Sequence, residues 1–278
     1  MNKKIGATLK EIFLNENKYR KQIDEAEIEI SKAVESYVES IEKNGRIFYI
    51  GAGTSGRIGA ADAAEIPPTF GLDSSRVQSF IAGGKRAFCK AIEGSEDDIN
   101  DAYEISKKLQ LCKKDLVLGL SASGSTPWTN EFLKQAKRYK CKTISIVNQK
   151  NSLIKKNSDI CIEIHVEKEW LEGSTRMASA SIARSVLTAI STTSFAILGN
   201  VFEGKMIKIK PTNKKLRKRA IKILSKTTGL NQKESENTLK KNKWNLEKSI
   251  LMKKLDINSE KASDLLKKKN LEEIIKNE

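Results

Sequence analysis

Three short stretches of this sequence bring hydroxyl side chains and glycines together where a helix is expected to begin. Gly51-Ala-Gly-Thr54-Ser55-Gly56-Arg57 follows an apolar run at 47–50, and Ser121-Ala-Ser123-Gly-Ser-Thr126-Pro127 follows another at 116–120. The third, Gly173-Ser174-Thr175, precedes a long segment of small residues. Backbone N–H groups at a helix start have no internal partner, and the helix dipole favours negative charge there. Hydroxyls beside them add donors. The chemistry such loops can do is to hold a phosphate, with Thr54, Ser55, Ser121, Ser123, Thr126, Ser174 and Thr175 as the groups that grip it. One loop of this kind alone reads as a helix cap. Two that follow parallel strands and face one sheet edge read as a shared phosphosugar pocket.

The first stretch also spells Gly51-x-Gly53-x-x-Gly56, the spacing of a dinucleotide-binding turn. That reading needs an acidic residue near the end of the following strand. Asp73 has the right separation but precedes the next strand, placed at 79–82. A small phosphate monoester therefore suits the loop better than a nicotinamide cofactor. His165, the sole histidine, lies on an apolar run without a cysteine or carboxylate at ligand spacing, so neither a zinc site nor a Ser-His-Asp triad can be built.

The elements that must position these groups follow from apolar periodicity. Strands are expected at 47–50, 79–82, 116–120, 143–147 and 160–166, with helices at about 23–43, 85–93, 97–109 and 129–139. Short apolar strands alternating with helices predict an α/β fold with a parallel sheet covered on both faces. In such sheets ligands sit at the carboxyl ends of the strands. Glu65 is expected to end a helix stopped by Pro67-Pro68. Glu96 sits in the acidic cluster Glu93 to Asp98, which alone reads as a first helical turn capped by Ser95.

The domain reading is a helical arm at 1–44, a sheet domain at 45–212 and a basic helical domain at 213–278, the last ending in three short helices. Net charge is +16, and from Lys205 onward 22 Lys and Arg stand against 9 Asp and Glu. No aromatic platform or reader motif accompanies that charge, so a solvated basic face is favoured over nucleic-acid binding. The four scattered cysteines read as reduced, buried thiols. No signal peptide is visible, and the uncharged stretch 185–202 is too rich in Ser and Thr for a membrane span, so a cytoplasmic protein is expected.

Gly51–Arg57 with Ser121–Pro127 resembles the sugar isomerase (SIS) domain, which implies a flavodoxin-like five-stranded sheet that binds phosphosugars. More closely, the chain resembles the N-acetylmuramic acid 6-phosphate etherase family, relatives of the glucokinase regulatory protein. The matching pieces are Gly51–Arg57, Asp62-Ala-Ala-Glu65-Ile-Pro-Pro-Thr-Phe-Gly71, Ile81–Gly84, Glu93–Asp97, Ser121–Pro127, Glu172–Met177 and Thr212–Leu216. The tail from Thr228 is similar to that family's small UBA-like end. The resemblance implies cleavage of the lactyl ether of N-acetylmuramic acid 6-phosphate, with Glu65 as general acid, Glu96 as general base and no metal or organic cofactor. A carboxylate at a helix C-terminus feels the negative dipole end, which favours the protonated form an acid needs. Repulsion within the acidic cluster suits Glu96 to the role of base.

Departures from the family pattern fall at Ser125, at Ala178–Ser181, at Asn148-Gln149 and at Glu203–Met206. Two other functions fit the loops, a phosphosugar-sensing regulator without catalysis and an aldose–ketose isomerase. The small-residue helix after Met177 predicts a homodimer interface.

Overall fold

The five apolar runs become five strands, and two of the three interior ones are buried along their whole length. These are β1 (Ile47–Gly51) and β3 (Leu116–Ser121), the pattern of strands covered on both faces. The computed structural model describes residues 2–277, which form two compact units. The first holds Met1–Ala64 with Ser74–Ser194, and the second Glu65–Asp73 with Phe195–Glu278.

In the first unit α1 (Asn2–Arg20), α2 (Gln22–Glu25) and α3 (Glu27–Glu42) lead into β1. The helix expected at 23–43 is thus interrupted, at Ala26, whose φ of −97° and ψ of 11° leave the helical region. After β1 come α4 (Gly53–Phe70), β2 (Val77–Ile81), α5 (Ile99–Lys108), β3, α6 (Pro127–Arg138), β4 (Lys142–Val147), β5 (Ile160–Glu163) and α7 (Ala178–Ile197). The sheet order is β2-β1-β3-β4-β5, all parallel, which is the flavodoxin-like arrangement. Phe48, Ile50 and Val117 pack with Trp128, Phe132 and Leu133 of α6 in one buried cluster. Each such side chain contributes about 1.5–3 kcal/mol by leaving water.

Several expectations change. The helix at 85–93 is only a 3-10 turn at Gly84–Phe88, because Arg57 takes the carbonyls of Phe88 and Lys90 at 3.2 and 3.0 Å. The last strand stops at Glu163. Residues 164–166 stay tethered through Ile164 N–H to Val147 and Val166 N–H to Asn148. Only Cys141 is buried; Cys161 is half-buried, and Cys89 and Cys112 are exposed. Burial pushes the Cys141 thiol up to about 12.

The α4 helix does not stop at Glu65. It runs through Pro67 and Pro68 to Phe70, although each proline removes one hydrogen bond and disfavours the interior by about 3 kcal/mol. Packing outweighs that cost: Ile66 and Phe70 are buried, and the Phe70 ring stacks on Phe195 with centroids 4.6 Å apart. Glu65 therefore lies inside a helix and not, as expected, at its negative dipole end.

Arg46 and Asp115 tie the beginnings of β1 and β3 together. The guanidinium Nη2 sits 2.6 Å from Asp115 Oδ2, while the N–H groups of Arg46 and Cys112 donate to the same carboxylate. Burial alone would raise the Asp115 carboxyl, but the Arg46 guanidinium and those N–H groups prevail and hold it below the usual range. A lowered folded value means that the stabilisation is present above the unfolded value and is lost as pH falls through the folded one. Asp115→Asn is expected to cost about 3 kcal/mol at neutral pH. Urea melts should show that loss at pH 7, and the gap between variant and parent should close below about pH 3.9.

α7 is long and apolar enough to cross a membrane by length and composition. Here Val186, Leu187 and Ile190 are fully buried in the protein, and the Thr188 and Ser191 hydroxyls donate to Asp62 Oδ1 at 3.1 and 3.2 Å.

In the second unit a hairpin of β6 (Val201–Phe202) and β7 (Lys205–Met206) precedes α8 (Lys214–Thr228). Then come α9 (Gln232–Lys241), α10 (Leu246–Lys254), α11 (Ser259–Lys268) and α12 (Leu271–Lys276), one short helix more than expected. All five helices are capped by asparagines, at 213, 231, 245, 258 and 270. Their core includes Leu224, Leu239, Leu246, Ile250 and Leu271.

Candidate active site

β1 and β3 are neighbours with Gly51 opposite Leu120, so the turns that follow them leave the same rim. The strand order changes direction between them, and that crevice is where open parallel sheets take ligands. Thr54 and Ser55 stand in the first turn of α4 on one side. On the other side Ser121, buried to 2 % exposure, places its Oγ 2.8 Å from Thr126 Oγ1 and 3.5 Å from Ser123 Oγ. Gly124 N–H donates to Ser121 Oγ at 3.1 Å. Gly124 has φ +64°, and a Cβ there would lie 2.2 Å from Ser152, so the turn needs glycine.

The N-terminus of α6 is open. Thr126 occupies its N-cap position without capping it, and Pro127 begins the helix with no N–H to satisfy. Two other helix starts in this unit are filled by side chains. Asp98 accepts from Asp101 N–H at the head of α5, and Glu169 accepts from the Ala178 and Ser179 N–H groups, both at 2.9 Å, at the head of α7. The helix that carries the hydroxyl loop has no such cap. An anion can take that place.

Glu96 stands on a 3-10 turn, Ser95–Asp97. That turn packs against α6, and Gly83, just past the end of β2, lies against Ser95, where a Cβ would come within 3.1 Å. The capping expectation for this cluster is overturned. Ser95 Oγ donates to the Ile92 carbonyl at 2.8 Å, and Asp98 is the cap. Glu96 is left exposed, with no hydrogen bond or ion pair among the described residues. Its carboxylate has no structural task.

Glu65 is also exposed. It stands ten residues beyond Ser55 on α4, about 15 Å along the axis at 1.5 Å per residue. The shared helix carries it away from the rim on which Thr54 and Ser55 lie. Ser174 and Thr175 line a separate cavity of about 600 Å³ with Gln149, Lys168 and Glu169. The N–H groups that the sequence offered to an anion there are held by Glu169. His165 Nδ1 is buried with no hydrogen-bond partner in the described structure. Among the described residues, no three His, Cys, Asp or Glu side chains gather where a metal could bind.

A protein of Lactobacillus acidophilus named N-acetylmuramic acid 6-phosphate etherase is 43% identical over 90% of this chain and 84% of its own length. The chain belongs to the N-acetylmuramic acid 6-phosphate etherase family. Etherases from Clostridium acetobutylicum and Bacillus cereus are 42% and 41% identical over 85% and 88% of the chain, covering 78% and 85% of their own lengths. Etherases are lyases. Residues 29–137 match the glucokinase regulatory protein N-terminal SIS domain, and residues 84–194 match the SIS domain. Among solved structures, a protein of Escherichia coli shares the fold, with a TM-score of 0.56 and 20% identity over 73% of this chain and 96% of that one. The SIS fold expected from the resemblance is thus present.

Sequence reading missed three residues of the site's surroundings: Glu169, Asp101 and Trp128. Glu169 caps a helix nine residues downstream, a spacing with no local signal. Asp101 and Trp128 meet only because α5 and α6 pack side by side.

Proposed function

We propose that this chain is a carbon–oxygen lyase that splits the D-lactyl ether of N-acetylmuramic acid 6-phosphate, giving N-acetylglucosamine 6-phosphate and D-lactate. The observation that carries the reading is a free carboxylate, Glu96, beside an uncapped helix start lined by hydroxyls, in a chain whose relatives are named as etherases. The open α6 terminus with Ser121, Ser123 and Thr126 takes the phosphate, and Thr54 and Ser55 close the other side. Ring opening exposes an aldehyde at C1, which acidifies the proton at C2. Glu96 removes that proton. The C3–O bond then breaks, and Glu65 protonates the departing lactate. Water adds at C3 of the unsaturated aldehyde, and C2 regains a proton. Ser174 and Thr175 bind a more distant part of the sugar from their cavity. The regulator and isomerase readings are less well supported, because neither accounts for relatives named as etherases.

Glu65 stands away from its own hydroxyl rim along α4, which supports a homodimer in which the second copy supplies it. We place the enzyme in the cytoplasm, where it would recover cell-wall sugar. The domain division at 45–212 and 213–278 remains our reading, the sheet part holding substrate. The test is incubation with N-acetylmuramic acid 6-phosphate and an assay for D-lactate. Lactate should appear with one equivalent of N-acetylglucosamine 6-phosphate; ligand binding without lactate would support a regulator instead. Thr126→Val should weaken binding of N-acetylglucosamine 6-phosphate by about 10- to 100-fold in calorimetry, the loss of one hydrogen bond to a charged group.

A further inference from the structure

One hydrogen bond joins the heads of the two helices that carry the rim. Trp128 Nε1 donates to Asp101 Oδ2 at 2.8 Å. The indole is fully buried and lies against Phe132, with ring centroids 5.4 Å apart. Trp128 follows Thr126 by two residues, in the first turn of α6. Asp101 follows Glu96 by five, in the first turn of α5, and its N–H is held by the cap Asp98. The bond therefore links the segment carrying the free carboxylate to the segment carrying the hydroxyls.

The two segments differ in how else they are held. The hydroxyl loop has its own ties to the β4 side: Asn148 N–H donates to the Ala122 carbonyl, and Ile154 N–H to the Gly124 carbonyl, both at 3.1 Å. Its internal bonds, Ser121 to Thr126 and Gly124 to Ser121, do not involve Trp128. The Glu96 turn has only local hydrogen bonds among the described residues: Ser95 bonds to Ile92, its carbonyl accepts from Asp98 N–H at 3.4 Å, and Glu96 itself accepts none. Loss of the Trp128–Asp101 bond should let the carboxylate drift while the phosphate loop keeps its shape.

We propose that Asp101 and Trp128 are positioning residues that set Glu96 at its working distance from the hydroxyl loop. This rests on the reading of Glu96 as the base. A misplacement of about 1 Å at a reacting group can cost about 100-fold in rate. The loss falls on kcat, because the groups that bind phosphate stay in place.

The test uses the full chain as Trp128→Phe, Asp101→Ala, Asp101→Asn, the Trp128→Phe/Asp101→Ala double variant and Glu96→Gln, assayed for D-lactate release. Affinity for N-acetylglucosamine 6-phosphate is measured by calorimetry alongside. Trp128→Phe and Asp101→Ala should each lower kcat by about 100-fold with sugar phosphate affinity within about threefold of the parent. Asp101→Asn keeps an oxygen acceptor and should recover most of the rate. The double variant should be no slower than the slower single one, since both remove the same bond. Should Trp128→Phe fail to fold, Asp101→Ala and its rescue by Asn carry the test alone. With Glu96→Gln inactive, a folded variant with parental kcat, equal loss in affinity and kcat, or losses that multiply in the double variant would overturn the positioning role. A Glu96→Gln enzyme with parental activity would instead overturn the reading of Glu96 and this inference with it.

Discussion

Glu96→Gln should lower D-lactate release by about 10²- to 10⁴-fold, the usual contribution of a positioned acid–base group. The amide has the size of the carboxylate and cannot take a proton from C2. The fold should not notice, because Glu96 caps no helix and holds no ion pair among the described residues; Asp98 does the capping and Ser95 closes the turn. Affinity for N-acetylglucosamine 6-phosphate should persist, since Ser121, Ser123 and Thr126 are untouched. Thermal melting should coincide with that of the parent. A variant that melts normally, binds the sugar phosphate and still turns over at the parental rate would remove Glu96 from the chemistry.

A mixture of two dead variants should regain activity. Glu65→Gln alone is expected to lose about 10²- to 10⁴-fold, as an acid that no longer protonates the leaving lactate. If each site takes Glu96 from one copy and Glu65 from the other, a heterodimer of Glu65→Gln with Glu96→Gln holds one intact site and one doubly altered site. Random exchange of subunits then restores about a quarter of the parental activity, given a two-fold symmetric dimer. If one chain supplies both carboxylates, every site in the mixture is damaged and nothing returns. The ground for expecting recovery is the run of α4, which carries Glu65 about 15 Å along its axis from Ser55. Equilibration of the mixed variants before assay, with each variant alone as a blank, separates the outcomes.

Much of the sheet unit was legible because its signals are local. β1 and β3 are unbroken apolar runs that end at glycine or serine turns, and burial on both faces requires that pattern. The hydroxyl loop after β3 was legible for the same reason, since Ser121, Ser123 and Thr126 lie within six residues of one another. What could not be read depended on packing between distant segments. The two prolines in α4 read as a stop, yet Phe70 stacking on Phe195 carries the helix past them. The acidic cluster read as a cap led by Ser95, while Asp98 took the role. No local rule indicates that Glu169 fills the start of α7, so Ser174 and Thr175 looked like a third anion site of the same kind. The most exposed misreading was Lys85 to Glu93, whose composition suits a helix but whose carbonyls Arg57 claims.

The most direct measurement is the isotope content of the products when N-acetylmuramic acid 6-phosphate is turned over in deuterated, ¹⁸O-labelled water. Removal of the C2 proton by Glu96, departure of lactate from C3 and addition of water together require deuterium at C2 and solvent oxygen at C3 of N-acetylglucosamine 6-phosphate, with the ether oxygen leaving in the lactate. Protium retained at C2 with labelled oxygen in the lactate would mean direct hydrolysis at the lactyl carbon, and that result would contradict the elimination on which the whole account stands.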